Sequence, residues 1–308
     1  MLIAWCRVAT IAGFRQSGVL STRPTILFLS PHLDDVVFSC PGRVLAEARS
    51  GARVVVATVF SHCGRDSANA ANYRERREED RASVRMLGAE PLWLGLPDAP
   101  FRHGYYDSFR TIIFGEAPAE SEWMPRIIET INKLLESLCP DRVYVPLGVG
   151  HHIDHRLTFR AIVNRQWRGE ICYYEERPYC FVPHAVQWRM NGLNGESREA
   201  RMDASYWRAL LRARYVRTYL PVGNERRLCR EAMEALPQES PATKQMWTDW
   251  VHPVDGEDLE LIRRAIFGYR SQTDVFLGSD EDLKRNAGRH ARSLGAQSGW
   301  VERIWSRD

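Results

Sequence analysis

Apolar runs bounded by turn residues alternate with segments of helical length along the first half of the chain. The runs have the length and β-branched or aromatic content of strands, and they lie at 25–29, 53–60, 92–94, 142–146 and 171–174. The intervening segments predict helices at 40–50, 73–87, 122–138 and 152–164. This alternation predicts a Rossmann-like α/β fold, with three layers (α/β/α) around a mostly parallel sheet.

The pattern changes in the second half of the chain. Helices are predicted at 206–219 and 259–269, whereas the stretch from Gly278 onward shows no strong periodicity. We therefore expect a poorly ordered leader at 1–22, an α/β core at 23–185, and an irregular helical C-terminal extension at 186–308. Two segments rich in arginine and tryptophan, 206–208 and 300–305, are interpreted as amphipathic helices rather than as a basic aromatic surface for nucleic acid.

Two clusters of histidine and aspartate each follow a predicted strand. Pro31-His32-Leu33-Asp34-Asp35 follows the first strand, and His151-His152-Ile153-Asp154-His155 follows the strand at 142–146. Because the carboxyl ends of parallel strands line one crevice, we expect the two clusters to meet. His152 and His155 are three residues apart on a predicted helix and would share a face. The two clusters therefore predict one metal site.

The donor set favours zinc. Zn²⁺ takes imidazole and carboxylate ligands, and a catalytic site keeps three protein ligands with one position for water. His32, Asp35 and His155 supply such a set, and zinc would lower the pKa of the water toward about 7. Another divalent metal such as Fe²⁺ is the alternative. A magnesium site of the receiver-domain kind is a poor match, because the second cluster is rich in histidine.

The remaining residues of the clusters predict hydrolysis. Asp34 lies beside the ligands and is a candidate general base. His152, as an imidazolium, would stabilise an oxyanion and protonate a leaving amine. Asp154 is a candidate orienting partner that fixes the tautomer of a histidine and favours its charged form. Together these residues describe metal-assisted hydrolysis of an amide or ester.

The two motifs resemble those of a known family. Residues 31–35 are similar to the P-H-x-D-D motif, and residues 152–155 to the H-x-D-H motif, of the PIG-L/LmbE-like zinc-dependent N-deacetylases, which act on N-acetylglucosaminyl groups. The similarity runs from about Thr25 to Tyr179. Features at 173–179 and 269–272 resemble the antibiotic-tailoring bacterial branch.

The resemblance implies His32, Asp35 and His155 as zinc ligands, Asp34 as base and His152 as imidazolium. One departure stands out, because some family members have a tyrosine just before the second motif that contacts the oxyanion. This chain has Gly148-Val149-Gly150 and an extra histidine there. Either another group supplies that contact or the imidazolium acts alone.

Several residues outside the two motifs are candidates for substrate binding, each with a structural alternative. Asp98 could bind a sugar or simply form a turn, and His151 could be a pocket residue or a polar group at a strand end. Arg65 could contact the substrate or be a solvated loop charge, and His103 could belong to a pocket lid or to a surface loop. Arg76 and Glu79 have the spacing of a helical ion pair.

Composition adds limits on partners and location. The 308 residues carry a formal charge of +3, which demands no nucleic-acid partner, and no segment is apolar enough to span a bilayer. The seven cysteines are odd in number and scattered, which favours a reducing, cytoplasmic environment over a disulfide framework. No glycine-rich phosphate loop is present, so a nucleotide cofactor is not expected.

The two clusters predict metal-assisted hydrolysis, and the resemblance implies a zinc-dependent deacetylase that removes an N-acyl group, most simply acetyl, from an amino sugar of a small metabolite or glycoconjugate. The alternative is amide or ester hydrolysis on a non-sugar acylated natural product. A binding or regulatory protein on an inactive scaffold is disfavoured by the full set of catalytic residues. The oligomeric state is left open.

Overall fold

A computed structural model describes residues 23–64, 69–102, 105–115, 120–195, 204–220, 223–235, 246–254, 256–297 and 299–307. The predicted leader at 1–22 lies outside these ranges. Within them, no helix combines the length and the apolar character needed to cross a membrane.

One sheet organises the described part of the chain, in the strand order β3-β2-β1-β4-β5-β7-β6. The strands are β1 (Thr25–Ser30), β2 (Arg53–His62), β3 (Glu90–Pro97), β4 (Arg142–Pro146), β5 (Glu170–Tyr174), β6 (Trp247–Pro253) and β7 (Val301–Arg307). Strands β1 to β5 pair in parallel, whereas β7 runs antiparallel to both β5 and β6. The predicted mostly parallel α/β sheet is confirmed.

Helices cover both faces of this sheet. They are α1 (Asp35–Ser39), α2 (Pro41–Arg49), α3 (Ala70–Met86), α4 (Phe109–Phe114), α5 (Glu120–Leu138), α6 (Ile153–Val163), α7 (Ala185–Leu193), α8 (Ala204–Leu210), α9 (Arg214–Tyr219), α10 (Asn224–Ala235), α11 (Gly256–Phe267), α12 (Arg270–Phe276) and α13 (Asp280–Ser293), with short 3₁₀ helices at Ala99–Phe101 and Tyr179–Phe181.

The core lies on both sides of the sheet because successive strand residues point to opposite faces. Leu27 and Leu29 of β1 pack with α5 and α6 on one side, and Ile26 and Phe28 pack with α2 and α11 on the other. Strands buried on both faces explain the continuous apolar runs of the sequence. The result is the predicted three-layer arrangement.

The C-terminal extension contributes two strands as well as helices. The expectation of an amphipathic helix at 300–305 is wrong, because residues 301–307 form β7 and pair Ile304 with Tyr174 and Trp305 with Tyr173. The segment forms a strand because it can pair with the free edge of β5, and this pairing outweighs its local helical pattern. The helix predicted at 206–219 is divided into α8 and α9, and a helix absent from the prediction, α13, occupies 280–293.

Polar contacts join the extension to α3. The hydroxyl of Tyr269 donates to buried Asp80 at 2.8 Å, and Ser271 donates to Glu79 from its backbone N–H at 3.0 Å and from its hydroxyl at 2.5 Å. The predicted ion pair between Arg76 and Glu79 is therefore wrong. Glu79 is engaged by the extension, and Arg76 lies beside Asp34 instead.

Candidate metal centre and active site

The two histidine and aspartate clusters meet at the carboxyl ends of β1 and β4. These strands are neighbours in the sheet, so the turn after β1 and the first turn of α6 face each other. His32, Asp34 and Asp35 are between 6% and 8% exposed, and His155 is fully buried. The predicted convergence of the clusters is what the fold produces.

The three predicted metal ligands lie close together around Asp35 Oδ2. Asp35 Oδ2 lies 3.1 Å from His32 Nδ1 and 3.2 Å from His155 Nε2. The backbone N–H of His32 also donates to this oxygen at 2.7 Å, which holds the turn closed. His155 Nε2 is buried and accepts or donates no hydrogen bond among the described residues. A buried imidazole nitrogen that makes no hydrogen bond and lies 3.2 Å from a carboxylate oxygen fits a divalent cation held between them.

His152 lies close to the same point. Its ring centroid is 4.7 Å from that of His32 and 5.2 Å from that of His155, and one nitrogen from each of the three rings falls within 4.8 Å of the others. The imidazoles therefore form one cluster. A cation held by His32, Asp35 and His155 would have His152 beside it.

Glu176, which the sequence analysis missed, fixes the orientation of His155. Glu176 Oε1 lies 3.1 Å from His155 Nδ1, and the carboxylate accepts the backbone N–H groups of Gly148 at 2.7 Å and Val149 at 3.1 Å. A proton on Nδ1 directs the Nε2 lone pair toward the metal position. The available signal was an acidic residue just past the end of a parallel strand, here β5.

The carboxylate of Asp154 supports His32 rather than His152. Asp154 Oδ2 lies 3.1 Å from His32 Nε2 and accepts the backbone N–H of Ala99 at 3.0 Å. Its other oxygen pairs with the fully buried guanidinium of Arg102 at 2.5 Å. The structure thus differs from the expectation that Asp154 holds His152 in its charged form, because the loop after β3 brings Arg102 and Ala99 to this carboxylate.

His152 is placed as a neutral ring. Burial, followed by the charge of His32, lowers its pKa to about 3. Its Nδ1 accepts the backbone N–H of Asp154 at 3.2 Å, so a neutral ring carries its proton on Nε2. These surroundings favour a neutral imidazole that donates from Nε2 over the expected imidazolium.

Asp34 has the surroundings of a base. Although it is the residue before α1, its side chain caps no backbone N–H, and its closest ionic contact is Arg76 Nη2 at 3.9 Å. Burial and the charge of Asp35 raise the pKa of Asp34 to about 6, against the opposing effect of Arg76. A carboxyl with a pKa in this range can both take and return a proton near neutral pH.

The candidate substrate ligands fall into three groups. Asp98 lines the cavity, accepts from Tyr73 Oη at 2.5 Å and lies 3.4 Å from His32 Nε2. The proposed substrate contact of His151 is not supported, because its ring packs on Trp188 with centroids 4.0 Å apart and is not among the described side chains that line the cavity. Arg65 and His103 lie outside the described residues.

The side chains of His32, Asp34, Asp35 and His152 form the floor of a cavity of about 820 Å³. The walls come from α4, α9 and α12, and their apolar and aromatic side chains are Phe109, Ile112, Ile113, Tyr215, Tyr219 and Phe276. Tyr179 lies between floor and wall, T-shaped against His155 at 5.4 Å. Its ring fills the space beside Gly150, where a Cβ would come within 2.3 Å of it. A side chain at residue 150 is thereby excluded.

Comparison with known proteins identifies relatives of the core. Residues 27–165 match the family model described as PIG-L: GlcNAc-PI de-N-acetylase. The chain is 32% identical over 176 residues to a 2'-N-acetylparomamine deacetylase from Streptomyces fradiae (53% of this chain, 61% of the relative), and 25% identical over 186 residues to one from Niallia circulans (50% and 66%). The matched region thus spans less than two thirds of the length of these relatives.

Solved structures share the fold over nearly the whole chain. The A40926 pseudoaglycone deacetylase superposes with a TM-score of 0.61 at 21% identity, covering 93% of this chain and 98% of that one. The zinc-inhibited form of teicoplanin deacetylase gives 0.63 at 19%, covering 92% and 98%. At these identities the likeness establishes the fold.

Removing a ligand should empty the metal centre. We expect His32→Ala, Asp35→Ala and His155→Ala each to lower bound zinc by one equivalent per chain, measured by elemental analysis after dialysis. His151→Ala is the matched control and should retain that zinc, because its ring faces Trp188. Full occupancy in any of the three ligand variants would remove that residue from the ligand set.

Glu176→Gln tests the support of His155 separately. We expect zinc affinity to fall about 10- to 100-fold, the usual effect of losing a carboxylate behind a ligating histidine, measured by competition with a chelator. Glu79→Gln is the control, since that carboxylate bonds Ser271 instead. Unchanged affinity in a folded Glu176→Gln protein would contradict this role.

Proposed function

We propose that this chain, whose residues 27–165 match the family model described as PIG-L: GlcNAc-PI de-N-acetylase, is a zinc-dependent N-deacetylase. It removes an N-acyl group, most simply acetyl, from an amino sugar of a small metabolite or glycoconjugate. The observation that carries the proposal is the placement of an unligated carboxylate, Asp34, beside the ligand set at the floor of a substrate-sized cavity. We include in the proposal a cytoplasmic location, on the seven scattered cysteines.

His32, Asp35 and His155 would hold the zinc. When bound, the metal supplies a Lewis acid for the acyl carbonyl and the water that attacks it. The orphan nitrogen of His155 and the carboxylate of Asp35 supply the donor atoms. Glu176 and Asp154 hold the two histidine rings from behind.

Asp34 moves the protons in this mechanism. As a carboxylate it takes a proton from the attacking water, and as the acid it returns that proton to the departing amine, so that amide and water become amine and acetate. Burial of Asp34 beside Asp35 suits both steps, because the raised pKa lets the same group hold and release a proton. Arg76, 3.9 Å away, limits how far that pKa rises.

His152 stabilises the oxygen of the tetrahedral adduct. A neutral ring whose Nδ1 accepts the backbone N–H of Asp154 presents Nε2–H as a donor. A neutral imidazole serves as an electrophile when its environment keeps it uncharged. The hydrogen bond to the developing oxyanion strengthens as charge accumulates, which is the property that accelerates the reaction.

The cavity suits a substrate that carries further amines. Asp107 and Glu225 line its walls, and neither carboxylate has an ion-pair or hydrogen-bond partner within the described ranges. The relatives from Streptomyces fradiae and Niallia circulans are named for 2'-N-acetylparomamine. An N-acylated amino sugar with additional ammonium groups is therefore the substrate class that we propose.

A second candidate is amide hydrolysis on a non-sugar natural product. It is favoured by the apolar wall formed by Phe109, Ile112 and Phe276, which would contact an aliphatic or aromatic scaffold. The test is a panel of N-acetyl amino sugars and N-acyl non-sugar amides, with free amine and released acid quantified. Turnover confined to the non-sugar amides would replace the first proposal with the second.

Asp34→Asn separates proton transfer from metal binding. We expect the variant to keep its zinc and to lose on the order of 10²- to 10⁴-fold in kcat, the usual contribution of general acid-base catalysis. Zinc content and turnover are measured on the same sample. Loss of zinc would make Asp34 a ligand, and near-normal turnover would exclude it as the base.

Removing the wall carboxylates tests the substrate class. We expect Asp107→Asn and Glu225→Gln each to raise KM up to about fivefold for a polyamine-bearing N-acetyl sugar, the effect of an exposed ion pair of at most about 1 kcal/mol. KM for neutral N-acetylglucosamine derivatives should not change. Equal effects on both substrates would contradict recognition of ammonium groups.

A further inference from the structure

We propose that the chain has a second zinc site, on the opposite side of β5 from the first, formed by Glu175, Cys180 and His290. The three side chains come from the segment after β5, the 3₁₀ helix at Tyr179–Phe181 and α13. One donor atom from each lies within 4.8 Å of the other two. The proposal stands independently of the deacetylase function.

Burial makes this cluster unlike a solvated group of polar residues. Glu175 is 4% exposed, Cys180 6% and His290 7%. Burying a carboxylate oxygen without a partner costs free energy unless something compensates it. Glu175 Oε2 is such an atom, because it is buried and makes no hydrogen bond within the described ranges.

The other oxygen of Glu175 is already occupied. Glu175 Oε1 accepts from Arg303 Nε at 2.5 Å and from Trp305 Nε1 at 2.8 Å. These bonds fix the carboxylate so that Oε2 points toward His290 Nε2, 3.5 Å away. A tetrahedral zinc with ordinary bond lengths separates its ligand atoms by about 3.3–3.7 Å. The spacing of these two atoms already matches that geometry.

Each of the three side chains can provide a donor atom. A neutral imidazole has a lone pair to donate, and His290 Nε2 lies 3.5 Å from Glu175 Oε2. The charges of Arg177 and Arg303 also act on this ring. Cys180 forms no disulfide. A thiol loses its proton when it coordinates a cation, and the resulting thiolate offsets the positive charge of the two arginines.

The donor set selects the metal and leaves one position open. Thiolate, imidazole and carboxylate together favour zinc over magnesium or calcium. Cys180 and His290 line a second cavity of about 980 Å³, which gives water access to the fourth position. Glu176 supports His155 from the residue next to Glu175, so a metal here would anchor the same segment from the other side.

Cobalt distinguishes the two sites, because only the second contains sulfur. Chelator-treated protein is titrated with Co²⁺, and the thiolate-to-cobalt charge-transfer band in the near ultraviolet is recorded. We expect the band in the wild type and in His155→Ala, where the first site is destroyed. We expect it to be absent in Cys180→Ser and present in Cys229→Ser, a buried cysteine on α10.

A band absent from the folded wild type at saturating Co²⁺, or retained in Cys180→Ser, would overturn the proposal. His290→Gln covers the case in which Cys180→Ser does not fold. It should need at least about tenfold more Co²⁺ to develop the same band, as expected for loss of one of three ligands, and an unchanged titration would also overturn the second site. Because the band persists without the first site, this outcome does not depend on the proposed deacetylase activity.

Discussion

Burial of charge at the carboxyl ends of β1 and β4 is the constraint on which the rest of the structure depends. Five carboxylates converge there within a fold that leaves each of them less than a tenth exposed: Asp34, Asp35, Asp98, Asp154 and Glu176. Removing a carboxylate from water costs several kcal/mol unless a charge or hydrogen bonds compensate it. The surrounding elements supply these partners, and in doing so they fix the positions of the histidines.

Compensation is uneven, and the least compensated atoms are those to which the proposed chemistry is assigned. Asp154 has Arg102, a histidine and a backbone N–H, and Glu176 has a histidine and two backbone N–H groups. His155 Nε2 has no hydrogen bond, and Asp34 has only a long contact with Arg76. Well-compensated carboxylates thus hold the site, while Asp34, the least compensated of the five, lines the cavity.

The meeting of the two clusters could be predicted from sequence because it depends on strand topology, which hydrophobic patterning encodes well. The partner of Asp154 could not be predicted from sequence, because the side chain of a residue in the first turn of α6 can point in several directions. Arg102, from the loop after β3, decides which direction is adopted. The cavity walls were missed for a related reason, since α4, α9 and α12 pack on the core in a way that has no local sequence signal. Glu176 differs, because it follows a predicted strand and could have been proposed from that position.

The zinc-edge anomalous difference map of metal-loaded crystals tests the central claim most directly. We expect a peak about 2.0–2.2 Å from His32 Nδ1, His155 Nε2 and an oxygen of Asp35, with the oxygens of Asp34 beyond bonding distance. The competing metal position is next to the other ring nitrogen of His32, Nε2, where His32, Asp98 and Asp154 come together. A peak there, or one bonded to Asp34, would contradict the assignment of ligands and base.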